Sequence, residues 1–93
     1  MQQYKFKNFF VVANEKGLHT RPSTELVKCA AMFKSQITLR YQDVTVNAKS
    51  LLGILMLAAA RGSRIYVEAE GDDAEEAVKT IIDLARNKFN IKY

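Results

Sequence analysis

The chain contains one cysteine, one histidine and one proline. A lone Cys29 cannot build an internal disulfide framework, and it has no Cys or His at metal-ligand spacing, so a disulfide scaffold and a structural zinc are both excluded. That usage points to a reducing compartment. Long hydrophobic runs are missing as well: the longest nearly charge-free stretch, residues 51–60, is about half of what a membrane-spanning helix needs. Residues 1–10 alternate lysine with aromatics and lack the apolar segment of a signal peptide. No repeat, linker or low-complexity tract divides the chain. One cytoplasmic domain over residues 1–93, acting as a monomer without membrane insertion, is therefore expected.

What is present is a compact amount of ordinary globular sequence. At 93 residues and 10.5 kDa, about 65% of the unfolded surface can be buried, enough for one core. It is too little to enclose a cofactor and a substrate in a deep cleft, so no cofactor or metal is expected and any chemistry belongs on a shallow surface shared with larger partners. The net charge of +4 is uneven, with +7 over residues 1–64 and −3 over residues 65–93. The first two thirds thus read as a positive face for an acidic partner or for phosphate.

Periodicity gives the elements. Residues 4–13 are aromatic and β-branched, a strand ending at the turn Asn14-Glu15-Lys16-Gly17. Leu26, Ala30 and Phe33 fall at helical spacing, predicting a helix over 20–33 with Pro22 in its first turn. Residues 36–42 alternate as a half-buried strand, and 44–46 follow closely enough to form a hairpin. Ser50 is a good N-cap for a short apolar helix running to about residue 60. Residues 64–70 alternate as a fourth strand. The segment Gly71-Asp72-Asp73-Ala74-Glu75 offers an Asp cap with a Glu three residues on, and helical spacing then runs from Ala74 to Phe89. The order β-α-β-β-α-β-α, with one apolar face per strand, predicts an α+β open-faced β-sandwich: a four-stranded antiparallel sheet covered on one side by three helices.

One segment stands apart chemically. Gly17-Leu18-His19-Thr20-Arg21-Pro22 puts the only histidine just before a helix start, with an arginine two residues on. A helix N-terminus offers unpaired N–H groups and the positive end of a dipole, and a guanidinium fork matches phosphate oxygens. His19 could accept a phosphoryl group whose oxygens meet the Thr20 and Arg21 amides and the Arg21 side chain. The residues alone leave a second reading open, in which His19 is an exposed turn residue.

The segment around His19, followed by Leu26-Val27, resembles the active-site segment of HPr, the histidine-containing phosphocarrier family of the bacterial phosphoenolpyruvate:sugar phosphotransferase system. The likeness continues through the run from Val46 to Leu55, similar to the family's regulatory-serine segment, and into Ala69-Glu70-Gly71-Asp72-Asp73. It covers residues 6–89. The resemblance implies a carrier and not an enzyme, phosphorylated on Nδ1 of His19 by enzyme I and passing the group to enzyme IIA domains of sugar permeases. Arg21 is then the phosphoryl contact. It also implies modification of Ser50 by an HPr kinase/phosphorylase, placing about two negative charges where acidic partners dock. Lys16 departs from the small polar residue common in relatives and adds a charge near the site.

The short apolar helix cannot bury every side. Leu51, Leu52 and Leu55 are expected to form an exposed docking patch beside His19, rimmed by Arg21, Lys28 and Lys49, with burial in the core as the alternative. Cys29 is expected to be an inert helical thiol. Two other functions compete: a purely regulatory HPr-like protein or one serving a nitrogen-related branch, and a basic nucleic-acid binder. Retention of His19 and Arg21 opposes the first. The absence of an RNP-type aromatic cluster opposes the second, so no nucleic-acid partner is expected.

Overall fold

The computed structural model describes residues 4–93. Residues 1–3, part of the expected domain and of the segment read for a leader, lie outside the described residues. The elements are β1 (Lys5–Val11), α1 (Thr20–Ala30), β2 (Gln36–Tyr41), β3 (Val44–Asn47), α2 (Leu51–Met56), β4 (Arg64–Glu70) and α3 (Ala74–Arg86), then a 3-10 turn at Lys88–Asn90. This is the order read from the sequence. The strands form one sheet in the order β1-β4-β2-β3, every neighbouring pair antiparallel.

Period-2 alternation decides which face is covered. Ile37 and Leu39 of β2 and Ile65, Val67 and Ala69 of β4 are buried beneath the helices, whereas Arg40, Arg64 and Tyr66 stand on the open face. α3 lies across β1, β4 and β2, and α1 packs against α2, α3 and the 3-10 turn. Phe10 and Phe89 meet edge to face at 5.7 Å in the middle of this layer.

The helices end earlier than periodicity predicts, each time because a tertiary contact claims the next residues. α1 stops at Ala30 and not at 33: the Ala31 and Met32 amides turn back onto Val27 and Cys29, Phe33 drops into the core, and Lys49 Nζ takes the Phe33 carbonyl at 2.7 Å. α2 stops at Met56 and not near 60, since Ala58 adopts a φ of 49° and Ala59 turns its carbonyl to Leu18. α3 ends at Arg86. Lys88, Phe89 and Asn90 are left-handed, with φ of 53°, 56° and 61°, so Phe89 enters the core from a reversed turn and not from a helix. β1 is likewise shorter than the predicted 4–13.

The predicted Asp cap of α3 is also corrected. Asp73 is the N-cap residue but makes no side-chain capping bond. Its carboxylate reaches across to the loop after α1, accepting from the Ser35 hydroxyl, the Lys34 amide at 2.8 Å and the Ser35 amide at 2.9 Å. These donors, the Ser35 hydroxyl foremost, hold its carboxyl below the ordinary range. A depressed folded value means that the native state binds this proton less readily than the unfolded chain. The contribution to stability is complete above about pH 4 and is lost as pH falls from there towards the folded value. Asp73→Asn is expected to lower the melting temperature at pH 7, with the gap to the parent closing as pH drops below about 4; thermal unfolding followed by circular dichroism at pH 7, 5 and 3 reads this directly.

Candidate functional site

The loop between β1 and α1 is fixed by three contacts in succession. Gly17 closes a turn by donating its amide to Asn14 at 3.0 Å, and its φ is +70°. A Cβ there would overlap the Ala59 carbonyl oxygen and lie 2.9 Å from Ala60 Cα, so both the backbone angle and the close approach require glycine. Leu18 donates to that same Ala59 carbonyl at 2.9 Å and buries its side chain, and the buried Ser23 hydroxyl donates to the Leu18 carbonyl at 3.0 Å. His19 follows with almost no freedom left in its backbone.

His19 is the N-cap residue of α1, with extended backbone and no side-chain capping bond. The first intrahelical bond runs from the Ser23 amide to the His19 carbonyl at 3.1 Å. Pro22 has no N–H, so Thr20 and Arg21 supply the amides of the first turn that lack an intrahelical acceptor. They lie next to the imidazole, at the positive end of the helix dipole. The half-buried His19 ring keeps Nε2 enclosed and without a hydrogen-bond partner among the described residues.

A residue that the sequence did not single out completes the site. The Tyr93 ring stacks on His19 with centroids 6.2 Å apart and planes 10° from parallel. Arg21 donates to the Tyr93 hydroxyl, and the Arg21 guanidinium and Lys16 ammonium lie 5.5 and 5.8 Å from the ring centroid. No spacing signal links positions 19 and 93; only the left-handed turn at Lys88–Asn90 brings them together.

The remaining candidates are dispersed. Ser50 caps α2 as predicted, its hydroxyl accepting from the Gly53 amide at 3.1 Å. The contact of its neighbour Lys49 with the Phe33 carbonyl puts this end of α2 by the C-terminal end of α1, the far end from His19. Lys49 lies at that far end too, its ammonium committed to the Phe33 carbonyl, and Lys28 pairs with Glu25 at 3.3 Å, so neither is a free charge on the rim of His19. The apolar patch differs in membership: Leu52 and Met56, four residues apart, are 69% and 68% exposed, Leu51 less so, and Leu55 is half-buried. Met56 was legible from its i,i+4 spacing to Leu52. Ile54 is the residue that anchors α2 in the core.

The expected basic face does not form around His19. Alternation sends Lys5, Lys7, Arg40 and Arg64 to the open side of the sheet, where Lys5 and Lys7 meet Glu68 at 3.8 and 3.4 Å. Arg64 and Arg40 there cover the rings of Phe9 and Tyr66 at 4.5 and 4.6 Å. Among the cations discussed, only Lys16 and Arg21 are at the imidazole. Cys29 is buried, and desolvation pushes its thiol up, in keeping with an unreactive side chain.

An open-faced sandwich with a histidine at the N-cap position of its first helix, two amides without intrahelical acceptors and an arginine nearby is an arrangement able to hold an anion beside an imidazole. Residues 6–87 match the family described as PTS HPr component phosphorylation site. The phosphocarrier protein HPr of Neisseria meningitidis is 39% identical over 83 residues, covering 89% of this chain and 93% of the relative, and HPr of Xylella fastidiosa is 39% identical over 80 residues, 86% and 90% of the two. A crystal structure of HPr from Thermoanaerobacter tengcongensis superposes with a TM-score of 0.90 at 39% identity, covering 95% of this chain and 99% of that one; HPr from Bacillus anthracis gives 0.81 at 37%, over 85% and 94%. The chain belongs to the HPr family, and is therefore a phosphocarrier of the phosphotransferase system and not a catalytic enzyme.

Gly17→Ala is expected to cost about 2 kcal/mol of stability, from the positive φ and the clash with Ala59, a loss that urea denaturation at pH 7 would measure.

Proposed function

We propose that Nδ1 of His19 accepts a phosphoryl group from enzyme I and passes it to enzyme IIA domains of sugar permeases. The observation that carries this reading is the pairing of an enclosed Nε2 with two unoccupied amides, of Thr20 and Arg21, at the same helix end. An enclosed Nε2 cannot meet a donor on another protein, which leaves Nδ1 as the nucleophile. Its lone pair makes the new bond to phosphorus while the donor's leaving atom keeps the old pair. The Thr20 and Arg21 amides and the Arg21 guanidinium then hold the phosphoryl oxygens. Because the group must leave again, a shallow site at a helix end suits a carrier better than a closed cleft. Enzyme I and the IIA domains dock on Leu52 and Met56, flanked by Leu51 and by the Arg21 and Lys16 charges, and are complementary in being apolar and acidic.

Incubation with phosphoenolpyruvate and enzyme I is expected to give acid-labile phosphate on the parent and none on His19→Ala. Arg21→Ala is expected to slow uptake about 30-fold, the loss of one charge-assisted contact. Uptake by His19→Ala at the parent rate overturns the assignment.

Ser50 is the proposed site of regulatory phosphorylation by an HPr kinase/phosphorylase. What supports it is its place, a half-buried capping hydroxyl at the head of the exposed apolar helix and at the other end of α1 from the imidazole. A phosphate there acts on docking and not on the transfer chemistry, because it adds charge beside Leu51 and Leu52 where acidic partners approach. Ser50→Asp is expected to slow phosphorylation by enzyme I about tenfold, through KM more than through kcat, with the spontaneous hydrolysis rate of the phosphohistidine unchanged.

A further inference from the structure

We infer that the Tyr93 phenol competes with the phosphoryl group for Arg21, and that the free energy of its contacts with His19 and Arg21 in the resting protein is given up on phosphorylation, which raises the tendency of the phosphoryl group to leave. The inference rests on His19 being the acceptor. Three kinds of contact place the Tyr93 side chain there: its ring is parallel to the imidazole at 6.2 Å, its hydroxyl accepts from Arg21, and Lys16 and Arg21 both lie within 6 Å of its ring centroid. Its main chain is held separately. The buried Asn14 side chain donates to the Tyr93 main-chain oxygen at 3.1 Å and to the Lys88 carbonyl at 3.0 Å, and Phe89 and Ile91 are buried on the way. The backbone of this segment is thus tied to the core by contacts independent of the aromatic side chain, which is itself 38% exposed.

Competition follows from valence and charge. The Arg21 guanidinium, the helix-end amides and the in-plane Nδ1 lone pair are what a phosphoryl group uses; the phenol oxygen engages the first of these, while the Tyr93 ring lies against a face of the imidazole. A phenol oxygen is a neutral acceptor, whereas phosphoryl oxygens are charged acceptors whose hydrogen bonds to a guanidinium are roughly twice as strong, so the phosphoryl group displaces the phenol. By linkage, a contact made only in the unphosphorylated state stabilises that state and shifts the transfer equilibrium towards the donor. Tyr93 is in these terms a positioning residue and not a catalytic one. In the resting state its hydroxyl holds the Arg21 guanidinium, and in the phosphorylated state its side chain is free.

The test measures the equilibrium ratio of phosphorylated to unphosphorylated protein against a fixed ratio of phosphorylated to free enzyme I, for the parent, Tyr93→Phe and Tyr93→Ala. Tyr93→Phe keeps the stack and loses the phenol oxygen, and is expected to raise the ratio about threefold. Tyr93→Ala loses both and is expected to raise it about tenfold, with melting temperatures of both variants close to the parent. In the parent, phosphorylation is expected to move the Tyr93 ring resonances towards solvent-exposed values in proton NMR. Ratios within a factor of 1.5 of the parent, a lowered ratio, or a rise in Tyr93→Ala alone overturns the assignment to the phenol. Failure of the parent to take up phosphate at all, or uptake by His19→Ala, overturns the carrier site itself, a result separate from any of these.

Discussion

His19 stands at the start of α1 because the backbone at Gly17 is pressed against Ala59 and Ala60, closer than any side chain allows. The Ala59 carbonyl answers by accepting from Leu18, and Ser23 then holds the Leu18 carbonyl from within the helix. The two ends of this arrangement come from opposite parts of the chain, the loop after β1 and the loop after α2. Both loops contain left-handed backbone, Gly17 with φ +70° in the first and Ala58 with φ 49° and Gly62 with φ 90° in the second. With the loop fixed, the placement of the Thr20 and Arg21 amides beside the imidazole needs only Pro22, which removes the next donor from the first turn. The site is built from backbone more than from side chains, which suits the shallow carrier site proposed for it.

The sheet has its own bearing on function, by taking charge away from the site. A strand points alternate residues to opposite sides, so lysines and arginines in β1, β2 and β4 that cannot enter the core stand on the face away from the helices. There they meet Glu68 or aromatic rings. What remains near His19 is Arg21 and Lys16 against an exposed apolar patch of Leu52 and Met56. On the proposed reading, that composition fits successive docking on different partners: apolar area would supply general adhesion and two cations orientation, and neither demands an extensive fixed contact surface. Ser50 caps α2 at the head of this surface, so on the proposed reading a charge there would act on docking and not on the atoms proposed to hold phosphate.

Much of this was legible in the sequence, for reasons specific to particular residues. The strands 36–42 and 64–70 declared themselves because each has one wet and one dry face. Ser50 was legible as a cap because N-capping is decided within four residues of chain. The open-faced sandwich followed from one apolar face per element. The signals that misled were those whose meaning depends on distant partners. Asp73 looks like a capping residue, yet a carboxylate at that place gains more from two amides and a hydroxyl in the 34–35 loop. Lys49 looks like a rim charge but is nearer to a helix C-terminal carbonyl than to anything acidic. Phe89 fits a helical period and reaches the core by another route.

The sequence by itself determined the elements, their order and the side of each that is buried, since these depend on spacing along one strand or helix, and it put His19 and Arg21 forward as the candidate site. The tertiary structure alone decided which charges surround the imidazole and that Tyr93 lies on it. Such contacts join residues 19, 21 and 93 through a turn whose left-handed backbone no local pattern announces. Local propensity is a property of neighbours in sequence, whereas the environment of an imidazole is set by whatever the packed core brings beside it.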